Sequence, residues 1–247
     1  DWDTLHEKYP KLVYGYVSGY GEKGPDKDLP GFDFTAFYAR GGILGPLRDK
    51  NSLPMLTVQG FGDHQVAMNL AAGVLAALFK AKMTGEGDHV VVSLFHSAIW
   101  DISLMLQASQ YGADSTQYPM ERWKLGNPLV LCYETADGQW LQIAMPQYDR
   151  HYPILMNAMG YPELADDARY YPQKNLIPNR EEFSAWITAE FKKKTCDEWC
   201  KLLDANDLPY AIAQEWDSLL EDKQAWASDC FYEMSYSNGN KRTLVRH

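Results

Sequence analysis

Residues 63–82 constrain the fold of this chain more than any other segment. Ala67, Leu70, Ala71, Val74, Leu75 and Leu78 recur at three- and four-residue spacing, which puts them on one face of a helix. Gly60 and Gly62 precede the run, and Thr84-Gly85-Glu86-Gly87 ends it. Its most apolar stretch, Leu70 to Phe79, is Ala-rich and too short to span a bilayer. A β-branched strand follows over Val90–Leu94. A second helix is predicted over Phe95–Tyr111, with Phe95, Ile99, Ile102, Met105 and Leu106 inward.

The remaining sequence continues this alternation. Trp2–Tyr9 reads as a helix, and Leu12–Val17 as a strand entering a loop forced by Gly19, Gly21, Gly24 and Pro25. Phe32–Leu44 suits a short helix, broken by Gly41-Gly42 and Gly45-Pro46. After a connector at Pro119–Pro128, Leu129–Thr135, Asp137-Gly138 and Gln139–Met145 form a hairpin pattern, since Asp-Gly suits a tight turn. Asn179 with Glu182, and Thr195 with Glu198, have the spacing of capping boxes. Tyr210–Gln214 reads as a strand and Glu215–Trp226 as a helix.

Strands alternating with helices give an α/β class, with a small α+β unit of a hairpin plus helices. The expected divisions are 1–118, 119–209 and 210–247, the last returning to the larger part. The chain opens in helix-like sequence and stops in strand-like sequence at Leu244-Val245-Arg246-His247, which fits a fragment.

With 247 residues, 46% of them hydrophobic, the chain can bury a sizeable core in one or two domains. A net charge of −10 argues against nucleic acid as a partner. An anionic cofactor would need a local basic patch for the same reason. The start, Asp1-Trp2-Asp3, has neither basic residues nor an apolar signal segment, so the expectation is a soluble cytoplasmic protein without membrane attachment. Cys196 and Cys200 share a helix face but lack partners at metal-ligand spacing; Cys132 and Cys230 stand apart. The expectation is reduced thiols and no metal.

The chemically suggestive site is Gly60-Phe61-Gly62-Asp63. An acid at the start of an apolar helix caps it by accepting from first-turn N–H groups. The same carboxylate, kept ionised by the helix dipole and approachable because of its glycines, suits a nucleophile toward an activated acyl group. The two readings are compatible. The glycine loop at 19–25 lacks both the P-loop ending and the dinucleotide fingerprint. His96-Ser97 sits outside any Gly-x-Ser-x-Gly elbow and reads as incidental, while Asp166-Asp167 and Glu181-Glu182 read as solvated faces.

A set of short stretches, in order, carries a resemblance: Ser18-Gly19-Tyr20-Gly21 with Gly24-Pro25, Gly31-Phe32-Asp33, Gly62-Asp63, Ala72-Gly73-Val74-Leu75-Ala76-Ala77-Leu78 and Thr84-Gly85-Glu86-Gly87. Together with Leu208 to Ala213 they resemble the class III CoA-transferase family over nearly the whole chain. Gly62-Asp63-His64-Gln65 and Asn127-Pro128 resemble its 2-hydroxyacyl-CoA branch, which acts on 2-hydroxyisocaproate or phenyllactate in amino-acid fermentation. The resemblance implies the central part of the family's large domain plus the small domain, without the family's N- and C-terminal parts. It also implies an interlocked homodimer for the full-length protein.

In that family the equivalent of Asp63 carries first the acyl group and then CoA, through an anhydride and an aspartyl-CoA thioester. The resemblance places Pro30, Gly31, Phe32 and Asp33 at a CoA-contacting stretch, with Pro30 where some relatives have a basic residue. It places Gly62, His64, Gln65 and Leu94 at the acyl site. Gly126, Asn127 and Pro128 fall where formyl-CoA transferases carry a glycine-rich lid, a glycine run this chain lacks. Backbone N–H groups near the helix start suit the oxyanions. The resemblance implies an acyl-CoA and a small carboxylic acid as substrates, with no permanently bound cofactor. Two alternatives remain: a 2-methylacyl-CoA racemase, which needs a base where Phe32 stands, and a non-catalytic accessory domain.

Overall fold

A computed structural model describes residues 1–112 and 118–246. Residues 113–117, within the expected first portion, and His247, at the strand-like end, lie outside the described residues. The chain forms two compact units, Asp1–Arg122 and Trp123–His247.

The first unit begins with α1 (Trp2–Lys8) and β1 (Val13–Ser18), continues through a π-helical segment (Asp33–Ala39) to α2 (Phe61–Thr84), and ends with β2 (Asp88–Ser93), α3 (Leu94–Asp101) and α4 (Ser103–Ser109). β1 and β2 pair in parallel, from Val13 opposite Asp88 to Ser18 opposite Ser93. A parallel pair needs a long crossover, and here α2 supplies it while lying on the sheet. The contact runs through small residues: a Cβ at position 73 would lie 2.6 Å from Val90 Cγ1. Leu70 and Val74 meet Gly15 on β1.

The face of α2 that packs therefore differs from the expected one. Val66 and Ala77 are buried and Leu70 and Val74 half-buried, but Leu75 is 66% exposed. The alanines give the middle of the helix apolar surface on several sides, so the face is chosen by where the backbone can approach the strand, and Gly73 decides it. The 24-residue helix is also long and apolar enough to cross a membrane by length and composition, unlike the shorter stretch read from sequence. One side of it packs on β1, β2 and α3, while Met68, Leu75, Phe79 and Met83 are exposed. Lys80 Nζ donates to Asp88 Oδ2 at 2.9 Å, tying its last turn to β2.

Ala36, Phe37, Tyr38, Val66, Leu94 and Ala98 form the buried cluster under the start of α2. The predicted helix 95–111 is two helices, broken at Ile102. Ser93 caps the first by accepting from the His96 N–H at 3.1 Å. This rotates Leu94, Ser97 and Ala98 inward, and leaves Leu106 exposed.

The second unit is built on the antiparallel sheet β3 (Cys132–Glu134), β4 (Trp140–Ile143) and β5 (Tyr210–Ile212). The hairpin exists as expected but with shorter strands, and Gly138 takes φ +76° in its turn. Helices α5 (Tyr148–Met159), α6 (Gln173–Leu176), α7 (Arg180–Phe191) and α8 (Cys196–Ala205) lie between β4 and β5 in sequence. Leu141, Ile143, Tyr152, Phe183, Phe191 and Trp199 are fully buried. Phe191 stacks between Tyr133 and Trp199, and its carbonyl accepts from Trp199 Nε1 at 2.8 Å.

Residues 210–212 were expected to return to the larger part; instead they form the third strand of this sheet, Leu141 opposite Ile212. The capping box at Thr195 and Glu198 forms. The one expected at Asn179 does not, because its amide donates to the Arg169 carbonyl at 2.9 Å and Glu182 accepts from the Tyr170 hydroxyl. The expected helix 215–226 is split into α9 (Trp216–Leu220) and α10 (Lys223–Ala227), before the hairpin β6 (Phe231–Ser235) and β7 (Lys241–Val245).

Candidate active site

α2 begins at a glycine in the left-handed region: Gly60 is the capping residue, with φ +81°. Phe61, Gly62 and Asp63 are the first three residues of the helix. Gly60 has no side chain with which to satisfy the orphan N–H groups, and a second acid does so. Asp33, at the start of the π-helical segment, accepts from Gly60 N at 2.7 Å through one oxygen and from Gly62 N at 3.0 Å through the other. Asp33 is 4% exposed. A Cβ at position 62 would lie 2.3 Å from Phe37 Cγ and 2.5 Å from Asp33 Oδ1, so only glycine fits there.

Asp63 is therefore not the helix cap. Its side chain is exposed and makes no hydrogen bond or ion pair among the described residues. Two of the N–H groups expected to stabilise oxyanions, those of Gly60 and Gly62, are already taken by Asp33. Phe61 and Phe32, the residues flanking this contact in sequence, are 60% and 69% exposed.

The other sequence-predicted residues fall in distinct places. His64 is exposed beside Asp63. Gln65 donates its amide to Asp101 Oδ1 at 3.2 Å, linking α2 to α3, and burial pushes the Asp101 carboxyl up from its ordinary value. Leu94 is a core residue, 5% exposed. Pro30 is exposed. Gly31 packs backbone to backbone against Gly19, where a Cβ on Gly31 would reach Gly19 Cα at 2.5 Å. That contact holds the loop after β1 against the strand of chain leading into Asp33.

Gly126, Asn127 and Pro128 belong to the second unit. Asn127 accepts from Leu129 N at 2.9 Å and donates to the Met145 carbonyl at 3.1 Å, and Gln173 donates to the Gly126 carbonyl at 3.0 Å. Pro128 is buried and its carbonyl accepts from the Tyr133 hydroxyl. These three are held by local bonds.

One pairing was missed at the sequence level. Ser97 is 4% exposed and accepts from Asn69 Nδ2 at 2.9 Å. Gln65 and Asn69 are four apart on α2, as Ser97 and Asp101 are on α3, so two matched polar contacts join the helices. That shared spacing was the available signal.

An open groove of about 600 Å³ is lined by Tyr20, Gly21, Lys23, Ser93, Phe95 and His96, among others, and does not include the Gly60–Asp63 turn. Beside it, the Arg40 guanidinium lies over the Tyr20 and Phe95 rings and is paired with Asp26. In the second unit, burial pushes the Cys196 thiol up to about 11, which keeps it protonated and unreactive.

The family model for CoA-transferase family III matches residues 1–246. The cinnamoyl-CoA:phenyllactate CoA-transferase of Clostridium sporogenes is 50% identical over 247 residues, 100% of this chain and 60% of that protein. The (R)-2-hydroxy-4-methylpentanoate CoA-transferase of Clostridioides difficile is 39% identical over 244 residues, 99% of this chain and 60% of that protein. The chain thus spans about 60% of the length of these relatives. Among solved structures, Rv3272 from Mycobacterium tuberculosis superposes with a TM-score of 0.83 at 25% identity, covering 99% of this chain and 64% of that one.

Proposed function

The chain belongs to CoA-transferase family III, and from that premise we propose that it carries the nucleophile of an enzyme moving CoA from an acyl-CoA to a small carboxylic acid. Asp63 is that nucleophile. The observation that carries this reading is its freedom: an exposed carboxylate at a helix start, without a hydrogen-bond partner among the described residues, because Asp33 occupies the cap.

The reaction balances without an external acid or base. The Asp63 carboxylate adds to the donor thioester carbonyl, and the tetrahedral adduct expels CoA thiolate, leaving a mixed anhydride. The thiolate attacks the Asp63 carbonyl of that anhydride and expels the donor carboxylate, giving aspartyl-CoA thioester. The acceptor carboxylate then attacks this thioester and releases CoA thiolate. Attack of the thiolate on the acceptor's acyl carbon forms the new acyl-CoA and restores Asp63. An aspartyl anhydride and thioester both stay activated for the next nucleophile. The Asp63 backbone N–H, which has no partner among the described residues, is left available to a developing oxyanion.

We place a 2-hydroxy acid as acceptor, since the relatives named above act on phenyllactate and 2-hydroxy-4-methylpentanoate. The racemase alternative would need a base where Phe32 projects an apolar ring. The test is hydroxylamine trapping in the intact enzyme with acyl-CoA and no acceptor. Hydroxylamine displaces CoA thiol from an aspartyl thioester and leaves a hydroxamate. Mass spectrometry should find that hydroxamate on Asp63, and its appearance on another residue, or on none, would discard the assignment.

A further inference from the structure

We infer that Asp33 is a positioning residue whose task is to hold Asp63 out of its own helix cap. The inference rests on the reading of Asp63 as nucleophile. An acid in the third position of a helix ordinarily reaches back to the backbone N–H of the capping residue, forming half of a capping box. Here the capping residue is Gly60 and the third helical residue is Asp63. The N–H that Asp63 would reach for is the one that Asp33 Oδ2 accepts, at 2.7 Å. The other oxygen takes Gly62 N, adjacent to Asp63, at 3.0 Å.

Asp33 is suited to this by more than position. An ionised carboxylate accepts only, and has two oxygens for the two donors. The side chain is almost fully buried. Its bonds bracket Phe61 and fix both the left-handed Gly60 and the first turn of α2, so the direction in which Asp63 leaves the helix is set from outside the helix. Asp33 thus takes the stabilising role normally given to the first-turn acid, and Asp63 remains a nucleophile unbonded among the described residues. The resemblance had placed Asp33 at a CoA contact. With both oxygens committed to backbone N–H groups, its side chain acts on the reaction through Asp63.

An amide at position 33 keeps one acceptor and turns an NH2 toward the other N–H. With the NH2 turned toward Gly60 N, that N–H is released and Asp63 can fold back to cap its own helix. In the intact enzyme, D33N should lower kcat by about 10²-fold, the scale of a misplaced reacting group. The KM for acyl-CoA should stay within about twofold, because no binding contact is lost.

The discriminating readout is the rate of hydroxylamine trapping at Asp63, expressed per folded protein from near-ultraviolet circular dichroism. A role confined to stability would lower the folded fraction and leave that rate at the wild-type value; our inference requires the rate to fall with kcat. D33E keeps the charge and both acceptors on a longer stem, and serves as the second variant where D33N does not fold. It should trap Asp63 faster than D33N yet slower than wild type, whatever its melting temperature. Wild-type trapping per folded centre in either variant overturns the positioning role while leaving Asp63 as nucleophile. Absence of trapping at Asp63 in the wild type removes the nucleophile itself, and the positioning role with it.

Discussion

Gly62 donates its N–H to Asp33 Oδ1 at 3.0 Å, and a Cβ on the same residue would stand 2.5 Å from that oxygen. The two residues are 29 apart in sequence, and their contact fixes the point from which α2 and Asp63 depart. The Phe37 ring closes the other side of the same space.

Substitution of Gly62 by Ala should therefore disturb stability and turnover together. The added methyl must displace either the Phe37 ring or the Asp33 carboxylate, and overpacking of this kind costs about 1–3 kcal/mol. The check is a urea midpoint measured beside kcat. G62A combined with F37L should recover part of both, since leucine vacates the space of the ring. A G62A variant with wild-type midpoint and turnover would show that the turn is not tightly determined.

Asp63→Ala should abolish transfer at almost no cost to the fold. Had Asp63 been the cap, its loss would cost about 0.5–2 kcal/mol. Since Asp33 supplies the cap and Asp63 is exposed, the cost should fall within about 0.5 kcal/mol, as for ordinary surface substitutions. Thermal melts and an acyl-CoA exchange assay on the same preparation decide this. Persistent exchange would remove Asp63 from the mechanism, and a large drop in stability would return it to the cap.

How far the sequence led is best seen in α2 and its neighbours. The helix was legible because a long apolar run stands between glycine-rich ends. Its packed face was not, because the deciding residue, Gly73, contributes no side chain to the pattern. Asp63 was legible as an acid at a helix start. That another acid caps the helix depends on a bond between residues 27 apart, which periodicity cannot register. The break at Ile102 carries no proline or glycine to mark it. Asn179 and Thr195 begin capping patterns of the same spacing, and the Arg169 carbonyl and the Tyr170 hydroxyl, which engage Asn179 and Glu182, separate them.

In the second unit, Asp137 predicts an acid-sensitive contribution to stability. Its carboxylate accepts from Thr135 Oγ1 at 2.5 Å, from Gln139 Nε2 at 3.0 Å and from Cys196 N at 3.2 Å, joining the β3–β4 turn to the start of α8. The Thr135 hydroxyl is the main reason its carboxyl is held below the usual carboxylate range. A folded pKa below the unfolded one means the stabilisation is present above about pH 3.9, the unfolded value, and is lost as pH falls through the folded value. D137N should melt below wild type at neutral pH, and the gap should close on acidification below about pH 4. A gap that stays constant down to pH 3 would remove the charge of Asp137 from the account.

The acceptor preference offers the sharpest test of substrate class. Both His64 and Gln65 were candidates for a substrate hydroxyl, but the Gln65 amide is engaged by Asp101 on α3, which leaves His64 as the exposed polar side chain next to Asp63. A site that hydrogen-bonds a hydroxyl discriminates against the analogue lacking it, and by more when its polar groups are buried. In competition within the intact enzyme, a 2-hydroxy acid should therefore outrun its deoxy analogue strongly as acceptor. H64A should narrow that preference by about tenfold, the scale of one hydrogen bond, while leaving hydroxylamine trapping at Asp63 unchanged. Q65A should act differently, loosening α2 from α3 and lowering stability without changing the ratio of the two acids. Equal rates for both acids would keep CoA transfer and discard the 2-hydroxy assignment. An unchanged ratio in H64A would move hydroxyl recognition away from His64.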